Sequence, residues 1–248
     1  MVTDSSAIED IFYASKMVAV HAEGVKVGEA VHYAKKTQRN LYLCHISLRE
    51  EIEFIRENKE KGIYVEVTPH HLFLTEKDYE KQGAFAKMIP SLKTKDDQDS
   101  LWEAIEEGIV DTIGTDHAPH TMQEKYGKEP PAGVPGEETA LPLLLDAVNK
   151  SLISLKKVVE LTSKNPARIF RIKGKGEISP GYDADLTIID MNLEKKVNNE
   201  ELNTKCKWSP FNGYTLRGWP VTTIVGGRIV YNHGKIYKNQ GREVIFRG

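Results

Sequence analysis

Short apolar runs alternate with amphipathic stretches along the first 170 residues of the chain. Each apolar run is bounded by polar or turn-forming residues, which predicts a buried strand. The predicted strands are 17–21, 41–46, 63–68 and 109–115. Between and after them, apolar residues recur at spacings of three and four, which predicts helices. The predicted helices are 28–38, 49–60, 95–107, 137–150 and 155–164. This order predicts an α/β fold with a parallel sheet, whose four βα units would make half of a (β/α)8 barrel.

The pattern changes beyond residue 170. A turn and a strand-like run occupy 178–190, and Gly226-Gly227 between two alternating runs predicts a β-hairpin. A last strand is predicted over 243–247. We therefore expect two domains, a barrel region at 1–172 and a β-rich C-terminal domain at 173–248.

Three of the predicted strands end in a side chain that can bind a metal ion. His21 ends the first strand, His45 ends the second, and Asp116 follows the fourth in the segment 114–121, GTDHAPHT. Parallel barrel strands bring their carboxyl ends to one mouth, and zinc accepts imidazole and carboxylate ligands. We predict a metal site in which Asp116 binds the cation, takes a proton from water, or does both. The alternative for 114–121 is a helix-capping aspartate beside two solvated histidines.

Composition narrows the class of protein. Thirty-four Lys and Arg residues balance 36 Asp and Glu residues, for a net charge of −2, and the two signs are interspersed. That balance argues against a nucleic-acid partner. Two cysteines do not make a disulfide scaffold, no apolar run is long enough for a membrane span, and the N-terminus lacks the regions of a signal peptide. The expectation is a cytoplasmic enzyme that acts on a small molecule.

Six segments resemble those of the dihydroorotases, metal-dependent TIM barrels of the amidohydrolase superfamily, and occur in the same order. They are 18–23 (VAVHAE), 44–47 (CHIS), 112–121 (TIGTDHAPHT), 131–142 (PAGVPGEETALP), 165–168 (NPAR) and 181–186 (GYDADL). The resemblance extends over essentially the whole chain. The fold it implies is the C-terminal half of a metal-dependent TIM barrel, strands five to eight, with a small β-sandwich appendage.

The resemblance also implies roles for individual residues. His21 would be the metal ligand of barrel strand five and His45 that of strand six. Asp116, on strand eight, would be both a metal ligand and the catalytic acid and base. His120 and the backbone around Ala132 and Gly133 would contact the substrate.

The implied reaction is the reversible hydrolysis of dihydroorotate to N-carbamoyl-L-aspartate in de novo pyrimidine biosynthesis. The implied cofactor is Zn²⁺, as one or two ions. Expected partners, besides the cyclic amide substrate, are a second copy of the chain or a missing N-terminal half, with aspartate carbamoyltransferase as a further candidate.

Two departures from the family pattern leave alternatives open. The chain has no His-x-His pair and no bridging Lys or Asp of barrel strand four, so we expect it to begin at or after that strand, with His70 or His71 as outside candidates for the metal. Ile89 and Lys93 stand where dihydroorotases commonly have Asn and Arg. An allantoinase or hydantoinase, or a non-catalytic dihydroorotase-like assembly partner, therefore remains an alternative.

Overall fold

A computed structural model describes residues 5–238 and 241–246, which form two compact units. The first unit contains 5–116 and 131–133; the second contains 117–130, 134–238 and 241–246. Residues 1–4, 239–240 and 247–248, which belong to the two predicted domains, lie outside the described residues. The division into domains at 172/173 stays a prediction.

The first unit alternates helices with the strands of a parallel sheet. Its strands are β1 (Met17–Val20), β2 (Asn40–Leu43), β3 (Ile63–Val67) and β4 (Thr112–Ile113). Its helices are α1 (Ser5–Ala14), α2 (Val25–Thr37), α3 (Arg49–Asn58), α4 (Pro69–Phe73), α5 (Glu76–Gln82) and α6 (Lys95–Glu106), with a 3-10 turn at Gly83–Ala86. The spatial order is β1-β2-β3-β4, and every pair is parallel. The predicted α/β class and parallel sheet are confirmed. In the described residues the sheet is open, with β1 and β4 at its edges, so a closed barrel is not shown.

The two faces of this sheet differ in chemistry because successive side chains of a strand point to opposite sides. One face is apolar and buried. Its members are Leu41, Leu43, Ile63, Val65, Val67 and Ile113. The other face carries Tyr42, Tyr64, Glu66 and Thr112, which lie beside one another in the strand register. Burying the apolar face fixes the register, since a slip of one residue would exchange the two sets.

A single buried carboxylate holds the chain just beyond both β1 and β2. Glu51, on α3, accepts hydrogen bonds from the backbone N–H of Gly24 (2.6 Å), Ser47 (3.0 Å) and Leu48 (3.0 Å). Gly24 lies three residues after His21, and Ser47 lies two residues after His45. Glu51 therefore stabilises the two segments that carry the predicted metal ligands.

The second unit contains short helices and an antiparallel sheet. Its helices are α7 (Met122–Lys125), α8 (Glu137–Asn149), α9 (Leu155–Val159) and α10 (Asn165–Ile169), with a π-helical turn at Glu160–Lys164 and a 3-10 turn at Asn199–Glu201. Its strands are β5 (Leu186–Lys196), β6 (Thr215–Val225), β7 (Arg228–Asn232) and β8 (Lys235–Ile236), in that spatial order. The predicted hairpin on Gly226-Gly227 is confirmed by the pairing of β6 with β7.

The predicted β-sandwich is confirmed only as this one antiparallel sheet. In the described part of the chain, a helix packs on the central strand: the Asp146 carboxylate of α8 accepts a hydrogen bond from the Arg217 N–H of β6 (3.0 Å). Gly218 makes the close approach possible, because its φ is +107° and a Cβ there would lie 2.6 Å from the Cβ of Leu145.

The predicted last strand is wrong for 243–246, where Phe246 makes an isolated bridge with Ile172, and Arg247 lies outside the described residues.

None of the helices in the described ranges combines the length and the apolar character that crossing a membrane requires.

Glu51→Ala should lower the free energy of unfolding by about 3 kcal/mol, because three backbone donors lose a charged acceptor. Urea denaturation measures this change. Glu53→Ala, an exposed position on the same helix, is the matched control and should stay within about 0.5 kcal/mol of the parent chain. Equal losses in the two variants would contradict the role of Glu51.

Acid should destabilise the protein through His71, which is buried at the start of α4. Burial lowers the pKa of His71 from 6.5 to about 4. The unfolded chain therefore binds a proton that the folded chain does not, and stability falls as the pH drops from about 6.5 to about 4, by up to about 3 kcal/mol. Unfolding free energies measured between pH 7 and pH 5 test this. His71→Gln should flatten the slope and exposed His32→Gln should not; parallel curves for all three chains would refute the assignment.

Candidate active site

The first unit brings together the carboxyl ends of β1, β2 and β4, where His21, His45 and Asp116 lie. The rings of His21 and His45 meet edge to face, with their centroids 4.4 Å apart and their planes at 71°. The His45 side chain is buried, whereas His21 and Asp116 are exposed. Asp116 is close enough for its charge to act on His45. These are the three residues that the sequence predicts as metal ligands.

Two of these residues have backbone conformations that L-residues rarely adopt. The φ angle is +40° at His45 and +44° at Asp116. A left-handed conformation outside glycine costs about 1–2 kcal/mol, and it persists where the surrounding structure imposes it. The backbone N–H of Ile46 bonds to the carbonyl of Glu66 (2.8 Å) and that of Gly114 to the carbonyl of Val67 (3.1 Å), so both strand ends are anchored to β3.

The surroundings favour the neutral form of His45. Burial lowers the pKa of His45, the neighbouring His21 lowers it further, and the Asp116 carboxylate opposes the shift. The neutral ring is the form that binds a metal. Its Nδ1 atom is buried and has no hydrogen-bond partner among the described residues.

Glu66 is a half-buried carboxylate beside this group that the sequence prediction missed. It lies on β3 within the segment Ile63–Val67, and the only signal in the sequence is an acidic residue in an otherwise apolar strand. Burial raises the pKa of Glu66, hydrogen bonds from Tyr42 and the His45 backbone oppose the shift, and the charge of Asp116 adds to it. Burial and the Glu66 carboxylate also raise the pKa of the Cys44 thiol, to about 12, which keeps that thiol protonated.

The donor types fit zinc, but the described residues do not form a complete metal site. Two imidazoles and a carboxylate are ligands that Zn²⁺ accepts, and the unpartnered Nδ1 of His45 is available for a bond of that kind. Within 5–238 and 241–246, however, no three His, Cys, Asp or Glu side chains are grouped closely enough to hold a metal ion. The structure therefore shows part of a donor set.

His70 and His71, the additional candidates for metal binding, differ in the hydrogen bonds of their rings. Both ring nitrogens of His71 have partners, Thr68 Oγ1 at 2.8 Å and the Pro90 carbonyl at 3.2 Å. The Nε2 of His70 is buried without a partner in the described part of the chain, and burial holds the pKa of His70 well below its usual value. His71 is thus held by two hydrogen bonds within the first unit, whereas the Nε2 of His70 is available to a ligand.

The positions that depart from the dihydroorotase pattern have different surroundings. Ile89 is 60% exposed and so contributes little to packing. The Lys93 ammonium forms an ion pair with Glu23 and lies 3.3 Å from Ser91 Oγ. The charge of Lys93 is therefore already neutralised within the first unit.

The predicted substrate contacts are divided between the two units. Ala132 and Gly133 belong to the first unit, where the Gly133 N–H donates to the carbonyl of Lys87 (2.9 Å). His120 belongs to the second unit. Its assignment and those of Ala132 and Gly133 stay predictions.

The segment that carries His120 is anchored through Trp208. The indole Nε1–H of Trp208 donates to the carbonyl of His120 (2.6 Å). The Lys125 ammonium lies 5.4 Å from the centre of the same ring, and Lys125 is only 1% exposed. A lysine so deeply buried is unusual. The aliphatic part of a lysine side chain can pack as an apolar group.

Trp208→Ala should open this segment to trypsin at Lys125. Loss of the indole removes both the bond to His120 and the ring over Lys125, so cleavage after Lys125 should rise at least about tenfold, which corresponds to a loss of about 1.4 kcal/mol of protection. Mass spectrometry of timed digests measures the rate, with exposed Lys128 as an internal standard. Trp219→Ala, which removes an indole bonded to Leu216 of β6, is the control; equal cleavage in both variants would show that Trp208 does not anchor the segment.

Comparison with known proteins identifies relatives of the chain. Dihydroorotase of Methanosphaera stadtmanae is 43% identical over 228 residues, covering 90% of this chain and 52% of that protein. Dihydroorotase of Pyrococcus abyssi is 40% identical over 257 residues, covering 97% and 62%. The chain thus spans about half to three fifths of the length of these relatives, and the resemblance to dihydroorotases is confirmed.

Solved structures and a family model agree with this result. The L-hydantoinase (dihydropyrimidinase) of Arthrobacter aurescens matches with a TM-score of 0.82 and 32% identity, over 88% of this chain and 51% of that one. The dihydropyrimidinase of Brevibacillus agri matches with a TM-score of 0.88 and 26% identity, over 94% and 61%. The model described as "Amidohydrolase family" matches residues 5–230. The chain therefore belongs to the amidohydrolase family.

Proposed function

We propose that the chain acts as a zinc-dependent dihydroorotase, interconverting dihydroorotate and N-carbamoyl-L-aspartate in de novo pyrimidine biosynthesis. The observation that carries the proposal is that His21 lies against His45, and Asp116 near His45, at the carboxyl ends of three parallel strands. The relatives named dihydroorotase, at 40–43% identity, support the choice of substrate.

His21, His45 and Asp116 are the residues that would hold zinc, with His70 as the candidate for a further contact. When bound, zinc supplies Lewis acidity toward a carbonyl oxygen and toward water. Burial lowers the pKa of His45 and so favours the neutral ring, the form that such binding requires. A site with two ions would need donors beyond those described here.

Asp116 would transfer the proton in the reaction. Hydrolysis adds the hydroxyl group of water to the ring carbonyl carbon, breaks the carbon–nitrogen bond and places a proton on the departing nitrogen. The Asp116 carboxylate, exposed at the end of β4, would accept the proton of water on one oxygen and return it to that nitrogen. The same group runs the reverse reaction in the opposite order.

The proposed substrate contacts are the backbone around Ala132 and Gly133 in the first unit and, separately, His120 in the second unit. Backbone N–H and imidazole N–H groups both donate to anions, although the Gly133 N–H already donates to the Lys87 carbonyl. Lys93 is a weaker candidate because its ammonium already pairs with Glu23.

The second candidate function is hydrolysis of another cyclic amide, as in allantoinases and hydantoinases. Exposed Ile89, in place of the usual Asn, favours it, since an aliphatic side chain offers no hydrogen bond to the substrate that dihydroorotases bind. The solved relatives named hydantoinase and dihydropyrimidinase are consistent with this alternative. A non-catalytic role as a dihydroorotase-like assembly partner is the third.

We propose further that the protein is cytoplasmic. A second copy of the chain, an N-terminal half and aspartate carbamoyltransferase stay predicted partners.

The purified chain with added zinc should hydrolyse dihydroorotate, and Asp116→Asn should lower kcat/KM by about 10²–10⁴, the usual contribution of a general acid and base. Loss of ultraviolet absorbance or chromatography of N-carbamoyl-L-aspartate measures turnover. Asp111→Asn, a carboxylate just before β4, is the matched control and should retain activity.

A panel of dihydroorotate, hydantoin and allantoin in the same assay separates the candidates. Faster turnover of hydantoin or allantoin would replace the first candidate by the second. No turnover of any substrate by the parent chain would overturn catalysis by this chain and favour the assembly role.

A further inference from the structure

Glu66 lies at the centre of a hydrogen-bonded cluster on the polar face of the parallel sheet. Its Oε2 accepts from the Tyr42 hydroxyl at 2.8 Å, and that hydroxyl lies 2.7 Å from Thr112 Oγ1. Tyr42 and Thr112 are 5% and 1% exposed. The cluster thus joins side chains from β2, β3 and β4, with the Tyr42 and Thr112 side chains buried and Glu66 half-buried.

The other oxygen of Glu66 reaches the backbone of a predicted metal ligand. Oε1 accepts from the His45 N–H at 3.2 Å. That N–H belongs to the residue whose φ is +40°, so the bond holds the chain in a conformation that is unfavourable by itself. This backbone conformation sets the direction of the His45 Cα–Cβ bond and limits the rotamers that the ring can adopt, because the allowed rotamers depend on the φ and ψ of the residue.

Gly114 makes room for the Glu66 carboxylate. A Cβ at position 114 would lie 2.1 Å from Glu66 Oε2, closer than any real contact. Gly114 lies two residues before Asp116. The same carboxylate therefore contacts the segments that lead to His45 and to Asp116.

We propose that Glu66 is a positioning residue for the active site: its carboxylate, by bonding to Tyr42 and to the His45 N–H, fixes the His45 imidazole in the orientation that the site requires. The inference rests on the proposed function to the extent that His45 is part of that site.

A purely structural role for Glu66 is the competing explanation. In that case its loss would weaken the sheet as a whole, as loss of any buried hydrogen-bonded carboxylate does. Asp111 provides the matched comparison. Its Oδ2 accepts from the Val65 N–H of the same strand at 2.9 Å and from the Lys59 ammonium at 2.6 Å, but Val65 belongs to the opposite, apolar face of the sheet.

The experiment compares Glu66→Gln with Asp111→Asn in the full chain. The first readout is NMR of the metal-free protein with ¹⁵N-labelled histidine, which follows the His45 amide and the ring nitrogens. Glu66→Gln should shift the His45 amide and ring signals, whereas Asp111→Asn should leave them unchanged at a comparable loss of stability. Unchanged His45 signals in Glu66→Gln would overturn the inference.

The second readout is zinc affinity, measured by competition with a chromogenic chelator. Glu66→Gln should weaken binding by about 10–100-fold, the usual effect of removing a group that orients a metal ligand, and Asp111→Asn should not. Equal zinc affinity in the parent chain and Glu66→Gln would also overturn the inference. Failure of the parent chain to bind zinc would instead contradict the proposed function, and the NMR comparison would still decide the role of Glu66.

Tyr42→Phe keeps the inference testable if Glu66→Gln does not fold. This variant removes one bond to Glu66 and leaves the carboxylate in place, so it should shift the His45 signals by a smaller amount. His45 signals identical to those of the parent chain would count against positioning by Glu66.

Discussion

The site depends on the parallel pairing of four short strands. Parallel pairing sends every carboxyl end to the same edge of the sheet, so that residues 95 positions apart in sequence, His21 and Asp116, come to lie near His45. The register is set by the apolar face, whose side chains are buried. The chemistry on one side of the sheet is thus maintained by the packing on the other.

The sequence was sufficient to predict the alternation of helices and strands and the parallel sheet, because both follow from hydrophobic periodicity. The boundaries of the helices and strands follow less directly from that periodicity. The strand predicted at 109–115 is reduced to Thr112–Ile113, since the N–H groups of Ile109 and Val110 both turn back to the Ala104 carbonyl at the end of α6. A competing helix-capping interaction of this kind leaves no mark on the apolar pattern.

Other parts of the site could not be read from sequence because they depend on distant partners. In the sequence, Lys125 cannot be distinguished from a solvated lysine, because the ring beside its ammonium belongs to the distant Trp208. The bond of Trp208 to His120 likewise joins residues 88 positions apart. His70 and His71 are neighbours with the same side chain, yet among the described residues both ring nitrogens of His71 have partners, Thr68 and Pro90, whereas the Nε2 of His70 has none. Glu66 was missed because a lone charge in a strand does not reveal what it faces.

The carboxylate of Glu51 restricts how the loops after β1 and β2 can evolve. It binds the backbone after β1 through one oxygen and the backbone after β2 through the other, so a change in the length or course of either loop acts on a carboxylate that the other loop also binds. Diversification of substrate preference would therefore be expected in loops outside this pair. A helix residue that touches no substrate thereby restricts which parts of the molecule are free to evolve.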